Sequence, residues 1–107
     1  MRALSIRQPY AEQILRGQKK MEYRSRPTKI RERVYIYASL TPGDPDDFRK
    51  MNIQPGELPT GLLVGTVEIV DCIGSPGNYK WILENPERLL HGLKPLNHPQ
   101  PVWFYPF

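Results

Sequence analysis

The N-terminal part of the chain carries apolar positions of two different periods. Ala3–Ile6 is a short apolar run that predicts a strand. Apolar side chains then recur at helical spacing, at Tyr10, Ala11, Ile14 and Leu15. This spacing predicts an amphipathic helix over Pro9–Arg16, with Pro9 in its first turn and Gly17 as its C-terminal cap. We expect the polar residues Glu12, Gln13 and Arg16 to lie outside the apolar stripe.

Three further segments in the middle of the chain carry strand patterns. Lys19–Arg24 follows the capping glycine directly, and Val34–Ser39 is rich in β-branched and aromatic residues. Leu62–Ile73 is the longest apolar segment. Its odd-numbered and its even-numbered positions are both largely apolar, so we expect both faces of the strand to be at least partly covered. Gly65 in its middle indicates a bend or bulge. We expect Cys72, near its end, to be buried.

The remaining segments complete the predicted fold. Asp44 is expected to cap a second short helix, because a proline and two acidic residues follow it. Tyr79–Leu83 predicts a strand ended by Asn85-Pro86, residues 87–91 are either a helical turn or a short strand, and Val102–Tyr105 closes the chain. About six strands without regular β-α-β alternation favour one mixed α/β, predominantly β domain over 1–107, a small barrel with short helices at its rim.

Composition narrows the class of protein. The single cysteine excludes an internal disulfide and a cysteine metal cluster, and His91 and His98 lack the company that a zinc site needs. We therefore expect no metal and no cofactor. The N-terminus has no apolar run long enough for a signal peptide, and no stretch approaches a membrane span. We expect an intracellular, cytoplasmic protein without membrane contact.

The charge of the chain is concentrated at one end. Residues 1–33 hold ten Lys and Arg against three Glu, which is +7, and the rest holds five against eight, which is −3. The sum is the net charge of +4. A basic segment of this kind is typical of a nucleic-acid-binding surface, although small basic proteins also carry one by accident.

The stretch 17–24 concentrates candidate chemistry on one rigid element. Side chains alternate along a strand, so Met21 and Tyr23 face one side while Glu22 and Arg24 face the other. Glu22 can orient Arg24 or a lysine as an ion pair, which leaves surplus positive charge for an anion such as phosphate. Lys19 and Arg24 are the first candidates for phosphate or base contacts. The alternative is a solvated, salt-bridged strand face.

Further candidates surround this stretch, each with a structural alternative. Gln8 offers a base edge both donor and acceptor, or makes a hydrogen bond at the start of the helix. Tyr10 is a helix core residue or a stacking platform, and Lys20 is a site residue or plain surface. Trp81 and Trp103 are expected in the core, and either Glu68 or Asp71 could face the cleft. The other predicted site residues are Ser5 beside the helix start and a basic rim of Arg7, Arg26, Lys29 and Arg31.

These motifs together resemble a known family. Gly17-x-Lys19-x-x-Glu22-x-Arg24 is similar to the G-x-K-x-x-E-x-R signature of the ASCH (activating signal cointegrator homology) domain, within the PUA-like superfamily. The opening 4–11, Leu-Ser-Ile-Arg-Gln-Pro-Tyr-Ala, resembles the L-S-x-x-Q-P-[WY]-A opening of the transcription-coactivator branch. Segments 34–39, 61–72, 81–86 and 101–103 fall where that branch has its later strands. The resemblance implies a PUA-like β-barrel with the signature beside a cleft, near the start of the second strand.

Three functions stay open at this point, and the resemblance implies the first two. Family members are predicted or shown to bind RNA or DNA, and several are linked to RNA processing or to coactivation of transcription. One bacterial branch hydrolyses acetylated cytidine with a lysine, a threonine and a glutamate, and another member is described as a ribonuclease. Here Lys19 falls on the lysine position, Glu22 occupies the threonine position, and the glutamate has no match. A protein-interaction module using the proline-rich segments 42–59 and 95–101 is the third reading.

The nucleic-acid-binding reading is the one that the basic segment favours. In the larger relatives the domain is one part of a longer protein. Here we expect it to stand alone, so that any partner subunit or catalytic region comes from another chain.

Overall fold

A computed structural model describes all 107 residues, in six strands and two α-helices. The elements, in chain order, are β1 (Ala3–Ile6), α1 (Tyr10–Leu15), β2 (Met21–Arg24), β3 (Arg33–Ala38), α2 (Pro45–Lys50), β4 (Leu62–Ser75), β5 (Asn78–Leu93) and β6 (Trp103–Phe104). A short 3₁₀ turn, Pro55–Glu57, lies between α2 and β4. Asp44 caps α2 as predicted, because its side chain accepts from the main-chain N–H of Asp46 at 2.9 Å. Neither α-helix has the length or the apolar character to cross a membrane.

The six strands form one curled sheet in the order β2-β5-β4-β3-β1-β6. All neighbours are antiparallel except β1 and β3, which are parallel. The sheet does not close through strand pairing, since β2 and β6 remain its edges. Side chains span the open side instead: Arg24 of β2 donates to the main-chain oxygen of Ser5 on β1 at 3.0 Å, and the rings of Trp81 and Trp103 stack with centroids 5.8 Å apart. The predicted predominantly β fold is confirmed as a half-barrel with short helices.

Gly65 lies where β4 changes register against both of its neighbours. The pairing shifts between Ile36 and Tyr37 on β3 and between Leu63 and Gly65 on β4, which confirms the predicted bulge. A Cβ at Gly65 would collide with Leu15 of α1 and with the main-chain oxygen of Glu87. Only glycine therefore lets α1 and β5 approach this point so closely.

Two predictions about the long hairpin are wrong. Asn85-Pro86 does not end a strand, because Asn85 takes a left-handed backbone with φ of 52° and β5 continues to Leu93 around a bulge. Residues 87–91 are thus part of this strand. Cys72 is half-buried rather than buried, because the outer end of β4 extends past the core and most of its residues beyond Ile69 are exposed.

Glu12 is the main residue that the helical pattern misplaces. It is only 5% exposed although it lies outside the apolar stripe. Arg88 of β5 donates to both of its carboxylate oxygens at 2.9 Å, and Arg16 donates to one of them at 2.7 Å. Burial raises the pKa of the Glu12 carboxyl, but the two arginines outweigh this and hold the pKa below its ordinary value of 4.5. The ion pairs stabilise the packing of α1 on β5.

We expect Glu12→Gln to lower the free energy of unfolding at neutral pH by about 2 kcal/mol, because charge-assisted hydrogen bonds to Arg88 and Arg16 are lost. The folded-state pKa is depressed, so this stability is present above about pH 4.5 and is lost as the pH falls through the folded pKa. Urea unfolding from pH 7 to pH 3 measures both effects. Glu87→Gln is the matched control, because it removes an exposed carboxylate next to Arg88 on β5. A Glu12→Gln deficit that does not shrink in acid would contradict this account.

Candidate functional site

A cleft of about 800 Å³ opens on one side of the curled sheet. Its lining comes from the end of β1, the start of α1, Lys19 and residues 22–24, Tyr37 of β3, residues 39–41 and residues 99–101. Three cations, Arg7, Lys19 and Arg24, face it together with a single carboxylate, Glu22. The cleft therefore carries a surplus of positive charge. No group of three His, Cys, Asp or Glu side chains lies close enough to hold a metal ion.

The end of α1 fixes the position of the lysines. Gly17 takes a left-handed backbone with φ of 73°, and its N–H donates to the carbonyl of Ile14 at 3.0 Å. The carbonyl of Gln13 then accepts from the main-chain N–H groups of Gln18 and Lys19, at 2.9 and 3.1 Å. This is the capping role that the sequence predicts for Gly17. The chain turns here from the helix into β2 without a flexible linker.

Glu22 is the central charge of the cleft. It is 8% exposed, and its carboxylate accepts from Nη2 of Arg24 at 2.8 Å and lies 3.7 Å from Nζ of Lys19. The predicted ion pair is thus present in the structure. The predicted alternation of β2 also holds, since Glu22 and Arg24 are sheltered while Met21 and Tyr23 are exposed.

Arg24 links the two sides of the half-barrel as well as facing the cleft. Its Nη2 reaches both Glu22 and the main-chain oxygen of Ser5, and its guanidinium lies 5.5 Å from the centre of the Trp81 ring. Trp81 is buried, and its indole N–H donates to the carbonyl of Arg26 at 3.0 Å. The guanidinium therefore makes three contacts, and its Nη1 and Nε groups form no hydrogen bond within the protein.

Tyr10 and Ser5 connect the cleft to the segments that wall it. The hydroxyl of Tyr10 donates to Asp47 of α2, and this hydrogen bond is the main reason that the pKa of Tyr10 is raised. Its ring packs partly against the core and also lines the cleft. That Tyr10 is a stacking platform stays a prediction. Ser5 donates through its hydroxyl to the carbonyl of Gln100 at 2.8 Å, which fixes the wall formed by 99–101.

Gln8 is not at the surface of the cleft. It is 1% exposed, its Oε1 accepts from the N–H of Glu12, and its Nε2 donates to the carbonyl of Pro59, both at 3.0 Å. Of its two readings, the structure shows the hydrogen bond at the start of the helix. Lys20, Arg26 and Lys29 are exposed and lie outside the cleft lining, whereas Arg31 is 4.0 Å from Asp71. Neither Glu68 nor Asp71 faces the cleft.

Several cleft residues carry no recognisable signal in the sequence. Tyr23 is 62% exposed, and Nζ of Lys19 lies 5.0 Å from its ring centre. The strand alternation places Tyr23 outward, but not beside the lysine. Residues 39–41 and 99–101 come from loops far along the chain, and only the folded sheet brings them together.

The curled sheet and its basic cleft define a class: a small PUA-like β domain with a charged signature at the start of its second strand. Residues 4–94 match the family model of the ASCH domain. The chain therefore belongs to the ASCH domain family, and the resemblance seen in its motifs is confirmed.

The chain is also similar to larger proteins of the coactivator branch. It is 31% identical to activating signal cointegrator 1 of Homo sapiens over 81 residues, which cover 65% of this chain and 14% of that protein. It is 26% identical to activating signal cointegrator 1 of Mus musculus over 112 aligned positions, which cover 81% of this chain and 19% of that protein. The chain thus spans less than a fifth of either relative. At the level of the family, the likeness supports a role in binding nucleic acid or protein.

Because Arg24 both faces the cleft and links the two sides of the half-barrel, its loss should destabilise the fold more than the loss of Arg7. We expect Arg24→Ala to lower the free energy of unfolding by about 2 kcal/mol, because it removes charge-assisted bonds to Glu22 and Ser5. Arg7 is exposed and makes no ion pair, so Arg7→Ala should change stability by less than about 0.5 kcal/mol. Urea unfolding of both variants at neutral pH compares them directly. Equal stabilities would show that Arg24 does not brace the half-barrel.

Proposed function

We propose that this domain binds nucleic acid in the cleft on β2, with the phosphate backbone against Arg7, Lys19 and Arg24. One observation carries the proposal: three cations and one buried carboxylate converge on a cleft that is large enough for a nucleotide. Arginine provides a planar fork for phosphate and lysine a point charge. Such contacts set affinity and orientation with little reading of sequence.

The charges of the cleft support binding of an extended anion better than catalysis. Glu22 bonds to Arg24 and lies beside Lys19, so its carboxylate orients cations and is not free to act as a base. The ring of Tyr23 is exposed at the rim of the cleft, where an unpaired base could stack on it. RNA and DNA offer the same phosphate chemistry, so the proposal covers both. A cytoplasmic location stays a prediction.

The two other functions receive less support. A nucleoside hydrolase of the deacetylating kind would need a hydroxyl nucleophile, and Glu22 stands in that position. A protein-interaction surface remains compatible with the family-level role. However, residues 99–101 of the second proline-rich segment line the cleft itself. We therefore assign that segment to binding of the cleft ligand rather than to a separate protein partner.

If phosphates bind here, the logarithm of affinity for a single strand should fall linearly with the logarithm of salt, by about 0.7 per phosphate neutralised. Lys19→Ala and Arg7→Ala should each weaken binding to all sequences alike and make this slope shallower by about one such step. Fluorescence anisotropy with labelled oligonucleotides at several salt concentrations measures both quantities. Lys94→Ala removes the same charge at an exposed position outside the cleft and is the control.

Glu22→Ala tests, in the same assay, whether Glu22 orients the two cations or only repels the anionic ligand. Its loss frees Arg24 and Lys19 from their common partner, so net positive charge rises while geometry is lost. We expect binding that is weaker than or equal to the wild type. Tighter binding would mean that Glu22 only repels the ligand. If the Lys19, Arg7 and Glu22 variants all match the wild type, the cleft is not the binding site.

We expect weak or no release of acetate from acetylated cytidine, because Glu22 stands where a hydroxyl nucleophile is required. Chromatographic detection of cytidine after long incubation tests this. Robust turnover that disappears in Lys19→Ala would replace the binding proposal with a hydrolase.

A further inference from the structure

A second cavity of about 420 Å³ lies beside the first, between the end of α1, the start of β2 and the bulge of β5. Its floor is apolar and consists of Ile14, Val67 and Leu83, all of which are buried. Its rim is polar and carries Lys20, Glu84 and Asn85. Lys19 lines both cavities and so forms part of the wall that they share.

The bulge of β5 creates this opening. The pairing of β2 with β5 reaches Ile82, and a last hydrogen bond runs from the N–H of Leu83 to the carbonyl of Lys20 at 2.9 Å. Beyond this bond, Glu84 pairs with Glu68, and Glu87 pairs with Thr66. Between these two pairs β5 has one residue more than β4. Asn85 absorbs the extra residue in a left-handed backbone. Bulges and such backbone outliers concentrate beside binding sites.

The polar groups of the rim have no partners within the protein. Lys20 and Glu84 are both exposed and form no ion pair within 4.0 Å, and the Asn85 amide makes no hydrogen bond. A cation, a carboxylate and an amide therefore surround an apolar floor. An inorganic anion would meet the Glu84 carboxylate, and a wholly apolar ligand would leave the three polar groups without partners.

We propose that this cavity is a second subsite, which takes a nucleobase bearing an exocyclic amino group. The base belongs to the strand whose phosphates lie in the cleft, so the proposal rests on the proposed function. A base has an apolar face to lie over Pro86 and the floor, whose side chains are at most 3% exposed, and a polar edge for the rim. Its amino group donates to the Glu84 carboxylate, while Lys20 and the Asn85 amide donate to the neighbouring ring nitrogen or carbonyl oxygen. A carbonyl in place of the amino group faces Glu84 unfavourably.

Cytosine and uracil form a matched pair of probes, because cytosine presents an amino group and an accepting ring nitrogen where uracil presents a carbonyl oxygen and a ring N–H. We expect the wild type to bind short oligocytidine about fivefold more tightly than oligouridine, in the ribose or the deoxyribose series. Glu84→Gln should lower this ratio, because the glutamine amide can accept from the amino group of cytosine or donate to the carbonyl oxygen of uracil. Lys20→Gln should weaken binding of both. Glu87→Gln and Lys94→Gln, at exposed positions outside both cavities, should leave the ratio unchanged.

The outcomes separate this proposal from the one on which it rests. If the wild type binds neither oligonucleotide, the proposed function fails, and the subsite with it. If it binds both with salt-dependent affinity but without preference, or if Glu84→Gln keeps the preference, the subsite is overturned while the cleft stands. Amide signals in nuclear magnetic resonance add a direct readout. The amide signals of residues 83–85 should shift more with oligocytidine than with oligouridine in the wild type, and this difference should be smaller in Glu84→Gln.

Discussion

The bond network of Arg24 is the constraint on which the cleft depends. β2 is an edge strand of a sheet that does not close through hydrogen bonds. From β2, Arg24 reaches the carbonyl of Ser5 on β1, and the same Nη2 group also donates to the carboxylate of Glu22. A charged side chain thus replaces a strand pair at the open side of the half-barrel. The side chain that braces the half-barrel is therefore also one of the three cations that face the cleft.

The pairing of the acidic residues decides where the positive charge is free. All three glutamates of residues 1–33 form ion pairs with basic residues: Glu12 with Arg16 and Arg88, Glu22 with Arg24 and Lys19, and Glu32 with Arg2. Arg31 and Arg33 are paired with acids of β4. The cations of this part of the chain without an acidic partner are Arg7, Lys20, Arg26 and Lys29. The basic surplus that the composition shows is therefore unevenly spread, and Arg7 and Lys20 lie at the two cavities.

Local patterns predicted much of this molecule, and long-range contacts explain the rest. The α1 stripe, the Gly17 cap, the Asp44 cap and the alternation of β2 depend on neighbours in sequence, and each agrees with the structure. Glu12 is buried because Arg88, 76 residues away, reaches it, and no helical pattern contains that information. Asn85-Pro86 carries the composition of a strand end, yet pairing with β4 continues the strand past it. The Gln100 wall likewise depends on a contact between residues 95 positions apart.

Gly17, the glycine of the signature, explains why two adjacent lysines are placed differently: Lys19 lines both cavities and Lys20 only the second. A Cβ at Gly17 would meet nothing within 4 Å, so space is not the reason for glycine at this position. Its backbone has a φ of 73°, which a residue with a Cβ adopts only at a cost of about 1 kcal/mol. This conformation ends α1 and lets the Gln13 carbonyl hold the N–H of Lys19. Lys19 is then directed toward Glu22, and Lys20, one position on in an extended chain, lies on the rim of the second cavity. The turn at Gly17 therefore sets the position of the lysine beside Glu22 and of the lysine on the rim of the second cavity at once.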